Sequence, residues 1–388
     1  MRVCIVYDCL YPHTVGGAER WYRNLAVRLA EEGHEVVYLT MRQWDPGEEP
    51  DVPGVRVVAV APRMALYQDG RRRILPPLRF GLGVLGHLLR RGRGYDVVHT
   101  ASFPYFSVQA AALARPFARY RLVVDWHELW TRAYWSDYLG RLGGWVGWHV
   151  QQLCLRAPQR AFCFSRLVEQ RLLAEGVRGE VTVLEGQFAG QAAPAPLPSE
   201  PVVVFVGRHI PEKNPVAVVR AVARAREKLP DLQAKIYGDG PERQKVLTAI
   251  DELALGGVVD APGFVGGAVV DEALGRALCL CLPSEREGYG LVVLEALSRG
   301  TPAVLVEGVD NAAVEFLVEG ENGFVAANPS PEELSAALVR VSEAGAGLRD
   351  SSLAWFARNA TRLSLDVSLA RVMDAYAGDG GDRAAQRE

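Results

Sequence analysis

Short runs rich in β-branched residues alternate with helical segments along almost the whole chain, and the alternation stops once. Residues 2–6 lead through a Gly/Pro-containing turn into Gly16-Gly17-Ala18-Glu19-Arg20, where a helical period places Trp21, Leu25, Leu29 and Ala30 on one face. Gly33 ends that helix, and residues 35–39, 55–60, 96–100 and 121–125 follow as Val-rich strands. Strands alternating with helices predict βαβ units and parallel sheets buried on both faces. The pattern breaks between Ala189 and Pro201, where Pro and Ala dominate without periodicity, a linker composition. It restarts with strands at 202–206, 234–237, 278–282 and 303–306 and helices at 216–229, 242–253 and 291–299. The 388 residues are enough for two domains, each with its own core. The predicted architecture is α/β: two facing doubly wound, Rossmann-like domains, residues 1–188 and 201–363, around an interdomain cleft, with a linker at 189–200. Residues 364–377 read as a C-terminal helix able to pack back on the first domain, and 378–388 as a disordered tail.

A formal charge of −3, from 43 basic and 46 acidic residues, excludes a dedicated nucleic-acid binder. Six cysteines are too few for a disulfide scaffold, and Cys279 and Cys281 sit in an apolar run as small core residues. Nowhere do four Cys or His residues stand at metal-ligand spacing, so no metal and no other cofactor is expected. The opening apolar run meets Asp8 too soon for an export signal. No stretch approaches the ~20 apolar residues of a membrane span. The expected location is the cytoplasm.

Two segments carry the chemistry. Residues 283–302 follow a strand, turn on Gly288 and Gly290 and enter a helix, a geometry that presents backbone N–H groups to an anion such as a diphosphate. Glu287 and Glu295 would repel that phosphate, so they either accept hydrogen bonds from ligand hydroxyls or form a solvated helix face. A nucleotide sugar, with phosphate between two hydroxyl-rich groups, meets the first requirement. In the second segment, residues 205–215, Arg208 and Lys213 bracket a loop stiffened by Pro211 and Pro215. They are either diphosphate ligands or two surface cations. No Gly-Lys-Ser/Thr occurs, which excludes a P-loop. The Gly238-Asp239-Gly240 turn begins like a dinucleotide fingerprint, but Arg243 stands where the third glycine belongs.

Gly207-Arg208-x4-Lys213, Ile236-Tyr-Gly-Asp-Gly-Pro-Glu242 and Glu287-x7-Glu295, in this order, resemble the retaining GT-B glycosyltransferases of family 4. Gly16-Gly17, Ser284 and Gly300-Thr301-Pro302 match in the same register. The resemblance implies that Arg208 and Lys213 bind the donor diphosphate, Glu287 the transferred sugar and Glu295 the ribose. It also implies that backbone of Tyr289, Gly290 and Leu291 caps the donor, with Gly16, Gly17 and Gly238 in the donor site. Backbone around Phe264 and Val265 would meet the base. His127 would touch the donor sugar, with Asp125 and Glu128 as neighbours. The implied reaction is front-face attack by an acceptor hydroxyl, with a UDP-sugar favoured as donor and a GDP-sugar second. A GT-B nucleotide-sugar epimerase and a non-catalytic sugar-nucleotide-binding module are the alternatives.

Two stretches depart from that pattern. Trp126, Trp130, Trp135, Trp145 and Trp148, with Tyr134 and Tyr138, form either an aromatic-packed helix hairpin or an acceptor platform. From Arg63 to Arg93 eight Arg stand against one acid, Asp69, around apolar residues 80–85. That stretch fits peripheral attachment to an anionic membrane at its inner face, or an ordinary solvated face.

Overall fold

The computed structural model describes residues 1–378 apart from Pro46, Asp69 and Gly70. The tail expected at 378–388 lies, from residue 379 onward, outside the described residues. The chain divides into two compact units, Met1–Glu185 with Asp366–Glu388, and Gly186–Leu365.

The first unit carries β1 (Arg2–Val6), α1 (Gly17–Glu31), β2 (Glu35–Met41), β3 (Val55–Ala61), the short antiparallel pair β4 (Tyr67–Gln68) and β5 (Arg71–Arg72), and α2 (Leu75–Arg91). It continues with β6 (Val97–Ala101), α3 (Phe106–Ala118), β7 (Arg121–Trp126), α4 (Arg132–Arg156), β8 (Arg160–Cys163), α5 (Arg166–Ala174) and β9 (Val181–Val183). The parallel sheet has the order β3-β2-β1-β6-β7-β8-β9. Residues 3–6 of β1 are wholly buried, as a central strand covered on both faces requires. In α1 the buried stripe is Trp21, Tyr22, Leu25, Ala26 and Leu29. Ala30, expected on that face, is only partly buried because its position falls at the stripe's edge.

The Pro and Gly content of α2 does not break it. Pro76 and Pro77 stand in its first turn, where a missing N–H costs nothing. Gly81 lets α3 approach, since a Cβ there would come within 2.6 Å of Phe106 Cβ, and a Cβ at Gly83 would collide with the Val60 carbonyl. Right-handed crossovers put α2, α3, α4 and α5 on one face of the sheet, because their connections all run the same way along it. Phe80, Val84 and Leu88 of α2, Val108 and Ala111 of α3, Leu155 of α4 and Leu172 of α5 share one core there.

The second unit carries β10 (Val202–Val206), α6 (Pro215–Ala225), β11 (Gln233–Tyr237), α7 (Arg243–Glu252), β12 (Val259–Gly263), α8 (Gly267–Arg276), β13 (Cys279–Leu282), the two-residue β14 (Arg286–Glu287), and α9 (Leu291–Leu297). β15 (Ala303–Val306), the two-residue β16 (Asp310–Asn311), β17 (Gly323–Ala326) and α10 (Pro331–Leu363) complete it. Its parallel sheet has the order β12-β11-β10-β13-β15-β17. The last helix, α11 (Leu365–Gly378), falls almost wholly in the first unit. Arg28 pairs with Asp366, and Arg371 Nη1 donates to the Val183 carbonyl at 3.1 Å.

Residues 189–200 are not a free tether. Ala193 N donates to Ser298 O and Glu200 N to Arg276 O, each at 2.8 Å, so the stretch lies along the second unit. The chain leaves the first unit earlier, at Glu185, and Phe188 exchanges backbone bonds of 3.0 and 2.9 Å with Leu363 and Leu365. All six cysteines are free and buried. Among the described residues, no helix is long and apolar enough to cross a membrane.

Candidate active site

In the second sheet the winding runs from β10 through β11 to β12, then reverses from β13 through β15 to β17. Ligands of open parallel sheets bind outside the carboxyl ends of the strands at such a reversal. The loops after β10 and β13 leave the sheet there, and they hold the two charged segments marked by the sequence.

Backbone bonds fix these loops. Gly207 N donates to Tyr237 O at 3.1 Å, His209 N to Asp239 O at 2.8 Å and Glu242 N to His209 O at 2.8 Å. Glu285 N donates to Glu212 O at 3.0 Å, tying the two loops together. The chain turns through a 3₁₀ segment, Pro211–Lys213, closed by Asn214 in the left-handed region at φ 47°. Lys213 Nζ thereby forms an ion pair with Glu287 Oε2, the side chains being 16% and 15% exposed. On the other side β14 pairs with β16, and the buried Asn311 amide donates to Ser284 O and Val306 O at 3.0 and 2.9 Å.

Glycine is required at both loops. Gly238 has φ 128°, and a Cβ there would collide with the Gly207 carbonyl oxygen. Gly290 has φ 87°, and a Cβ would stand 2.5 Å from Ala313 Cβ. Gly290 precedes α9, which begins at Leu291 without a side-chain cap. Gly288 is half-buried in the turn before it. Tyr289 turns its ring inward against Phe316, with its hydroxyl accepting from Gln187 N at 3.2 Å, so that backbone remains for other contacts. Glu295 is half-buried on α9, Arg208 is exposed, and Phe264 and Val265 follow the carboxyl end of β12 with Phe264 69% exposed. The structure thus gathers Arg208, Lys213, Gly238, Phe264, Val265, Glu287 and the 288–295 segment at one sheet edge. A hollow of about 380 Å³ lined by Pro201, Leu232, Leu278 and Pro302 lies at the opposite, amino-terminal edge.

Sequence reasoning passed over one polar group here, His209, and named another, Ser284, without a role. Neither ring nitrogen of the fully buried His209 has a hydrogen-bond partner, and burial holds its pKa down. The Ser284 hydroxyl is buried likewise without a partner. His209 stands between Arg208 and Lys213, and that position was the available signal.

In the first unit the winding reverses between β1 and β6. Gly16 is the residue before α1, with extended backbone at φ −172° that any residue adopts, and a Cβ on Gly17 would meet open space. A Cβ on Gly16 would meet only the flexible carboxylate end of Glu19, so neither glycine is demanded by fixed packing. His127 follows β7 and stacks on Phe164, centroids 4.5 Å apart and planes 2° apart, with Nε2 buried and without a partner. Burial lowers its pKa to about 4, against the attraction of Asp125. Asp125 itself is buried, with Oδ1 2.6 Å from His99 Nε2 and Oδ2 accepting from Trp21 Nε1 at 2.7 Å. His99 Nδ1 is 2.5 Å from the Tyr376 hydroxyl of α11. Glu128 Oε2 accepts from Trp130 Nε1 at 3.1 Å.

The low pKa of His127 makes a signed prediction. The folded ring stays neutral to about pH 4, whereas an unfolded histidine protonates near 6.5, so stability falls as pH is lowered through that window. The residue accounts for about 3 kcal/mol of that loss. Chemical denaturation at a series of pH values is expected to show a shallower slope between 6.5 and 4 in His127→Gln. An unchanged slope would assign the acid sensitivity to other groups.

The aromatic cluster is mainly packing. Trp130 meets Phe103, Tyr134, Trp135 and Tyr138 at 4.6–5.8 Å, and Gln151 Oε1 accepts from Tyr105 Oη at 2.9 Å and from Trp135 Nε1 at 3.2 Å. Trp145 is the exception, half exposed on α4. The segment is the expected helix hairpin: two helices meet at Gly140, whose backbone is non-helical at φ 74° and ψ 171°, and the second, with Trp145 and Trp148, folds back so closely that a Cβ on Gly144 or Gly147 would strike Trp135. Among the described residues, no group of three His, Cys, Asp or Glu side chains is arranged to hold a metal ion.

Two parallel-sheet α/β units of this kind make up the GT-B glycosyltransferases. Among solved structures, the sucrose-phosphate synthase (tll1590) of Thermosynechococcus elongatus is similar over 98% of this chain and 99% of its own, at a TM-score of 0.79 and 19% identity. Anabaena Alr3699/HepE, solved in complex with UDP, covers 97% of this chain and 100% of its own at a TM-score of 0.73 and 17% identity. Residues 15–186 match the model for Glycosyltransferase Family 4, and residues 191–355 match that for Glycosyl transferases group 1. A glycogen synthase of Mycobacterium tuberculosis is 28% identical over 368 residues, spanning 87% of this chain and 85% of the relative. The chain belongs to the family 4 glycosyltransferases and is an enzyme of the hexosyltransferase type.

Proposed function

We propose that the enzyme transfers a hexosyl group, with retention, from a nucleotide sugar to an acceptor hydroxyl of a small molecule, glycan or lipid. The donor is a UDP-sugar in preference to a GDP-sugar, a choice supported by the UDP complex of the similar HepE fold. The observation that carries the reading is the pairing of Lys213 with Glu287 across the reversal point of the second sheet.

Each member of that pair neutralises the other without a ligand, which spares both the cost of standing alone in a partly buried place. A donor arriving at the sheet edge exchanges the partners. Lys213 and Arg208 turn to the diphosphate, and the Glu287 carboxylate accepts hydrogen bonds from sugar hydroxyls. Glu295 takes the ribose hydroxyls, and backbone of Gly238, Tyr289, Gly290 and Leu291 lines the phosphates and sugar. The base lies by Phe264 and Val265. His127, as the family resemblance implies, acts on the sugar as a neutral imidazole. Gly16 and Gly17 leave the start of α1 without side chains, room for the donor's approach.

The bond from the anomeric carbon to the diphosphate breaks as a bond to the acceptor oxygen forms on the same face. The acceptor proton passes to a leaving phosphate oxygen, so no covalent nucleophile is needed. The two cations stabilise the charge that develops on the departing diphosphate, and the reading needs no metal or other cofactor.

A thermal-shift panel of UDP-glucose, UDP-N-acetylglucosamine and GDP-mannose tests the donor. A donor at ~100 times its Kd is expected to stabilise the protein by about 2.7 kcal/mol, and Glu295→Ala to abolish that shift. No shift with any nucleotide sugar would defeat the proposal. Binding without any transfer or hydrolysis would favour the binding-module alternative.

A further inference from the structure

The amino-terminal edge of the first sheet carries chemistry of its own. A hollow of about 380 Å³ opens there, where β6, β7, β8 and β9 begin. His127 lies at the other edge, after the carboxyl end of β7. Arg115, Arg121, Arg160 and Arg178 line the hollow, and among its described lining residues Glu180 is the only carboxylate. Val97, Leu122 and Val123, all buried, form its apolar floor.

Neutral oxygens hold most of these cations without cancelling their charge. Arg115 Nη1 donates to Pro158 O at 2.6 Å, and Arg121 Nη1 to the Tyr376 carbonyl. Tyr376 is itself fixed from behind, its hydroxyl 2.5 Å from Nδ1 of the buried His99. Arg160 Nη2 donates to Thr182 Oγ1 at 3.0 Å, and its guanidinium also pairs with Glu180. Arg178 is exposed, and its side chain makes no hydrogen bond or ion pair with any described residue. Its backbone is nonetheless fixed, since Arg178 N donates to Leu155 O at 2.8 Å and Arg178 O accepts from Gln159 N at 3.0 Å. Helix ends do not account for the charge. At this edge α3, α4 and α11 finish, each with about half a negative charge at its C-terminus. Four guanidiniums against one carboxylate leave an excess about twice what those helix ends balance.

We propose that this hollow is a binding site for a phosphate monoester with a small apolar body, separate from the donor site. The excess charge selects a dianion. A phosphate monoester brings a charge of about −1.5 to −2 at neutral pH and three acceptor oxygens, whereas a carboxylate brings one charge and two oxygens. Planar guanidinium forks match phosphate oxygens in pairs. Three of the four are already held in place, which leaves the ligand little to order. The volume falls within the range of about 300–1,000 Å³ usual for small-molecule sites, so an organic group has room beside the phosphate, over the apolar floor. Arg178, uncommitted at the rim, is the cation the ligand recruits. The site does not depend on which donor or acceptor the enzyme uses.

Isothermal titration of the full chain with phenyl phosphate tests this. Phenyl phosphate is expected to bind, inorganic phosphate to compete with it, and phenol not to bind. Arg178→Glu is expected to weaken binding by about tenfold or more, hydrogen bonds between charged partners being the strong ones, with an unchanged melting temperature. Arg115→Gln is expected to weaken it as well. Lys213→Ala, which strips a cation from the donor site, is expected to leave phenyl phosphate binding as in the wild type. No binding of phenyl phosphate, or wild-type affinity in Arg178→Glu, would overturn the proposal. Loss of binding in Lys213→Ala would overturn it too, by placing the anion in the donor site, and would leave the reading of that site intact.

Discussion

Replacing Lys213 by Ala is expected to lower kcat by 10²–10³-fold while the circular dichroism spectrum and melting temperature stay close to wild type. The magnitude is that of removing one fixed donor from a site where negative charge develops. The side chain lies on a 3₁₀ turn held by backbone bonds of its own, so its loss need not unseat the loop. Glu287 would lose its partner and reach toward solvent, since the pair is 15–16% exposed rather than sealed. The companion variant Glu287→Gln separates roles. It keeps a hydrogen-bonding side chain but leaves Lys213 without its counter-charge, so donor affinity should fall less than turnover. Steady-state kinetics with the donor found by thermal shift give both numbers. Wild-type kcat in Lys213→Ala would remove this residue from the chemistry.

The second large effect is expected from Gly238→Ala, which adds one methyl group and should lower stability by about 3 kcal/mol or more. Two costs coincide at this position. The backbone angle of 128° is one that L side chains rarely adopt, and the new Cβ meets the Gly207 carbonyl oxygen. Relief would require the loop after β10 to move, carrying Arg208, His209 and Lys213 with it. For a unit of this size the loss corresponds to a fall of roughly 6–12 °C in melting temperature. Gly256→Ala is the control, since a Cβ there meets nothing within 4 Å. Equal melting temperatures for the two variants would show that the turn tolerates a side chain.

How much of this could be read from the chain follows from burial. β1 and β10 stand out because a central parallel strand is apolar on both faces and leaves an unbroken run. β12 went unread because an edge strand tolerates Asp260 and Pro262, and its residues alternate between buried and exposed. β8 is four residues long, too short to show a period, and α10 is weakly patterned and bends at Gly345. The stretch at 189–200 misleads for another reason. Composition reports what its side chains cannot pack, not what its backbone groups bond to. At the site, spacing marked Arg208, Lys213, Glu287 and Glu295, but not that Lys213 and Glu287 pair across 74 residues. Asp125 was marked only as a neighbour of His127, whereas its partners Trp21 and His99 come from α1 and β6.

The burial of the cysteines has a use beyond packing. Burial raises the thiol pKa of Cys4 and Cys154 in the first unit and of Cys279 and Cys281 in the second, the last to about 12. At these four thiols a thiolate-seeking reagent therefore finds almost nothing to attack while a unit is closed. Each alkylation event then records an opening, and the peptide that carries the label names the unit that opened. The native thiols are in effect two built-in timers, one for each half of the enzyme, needing no engineered reporter.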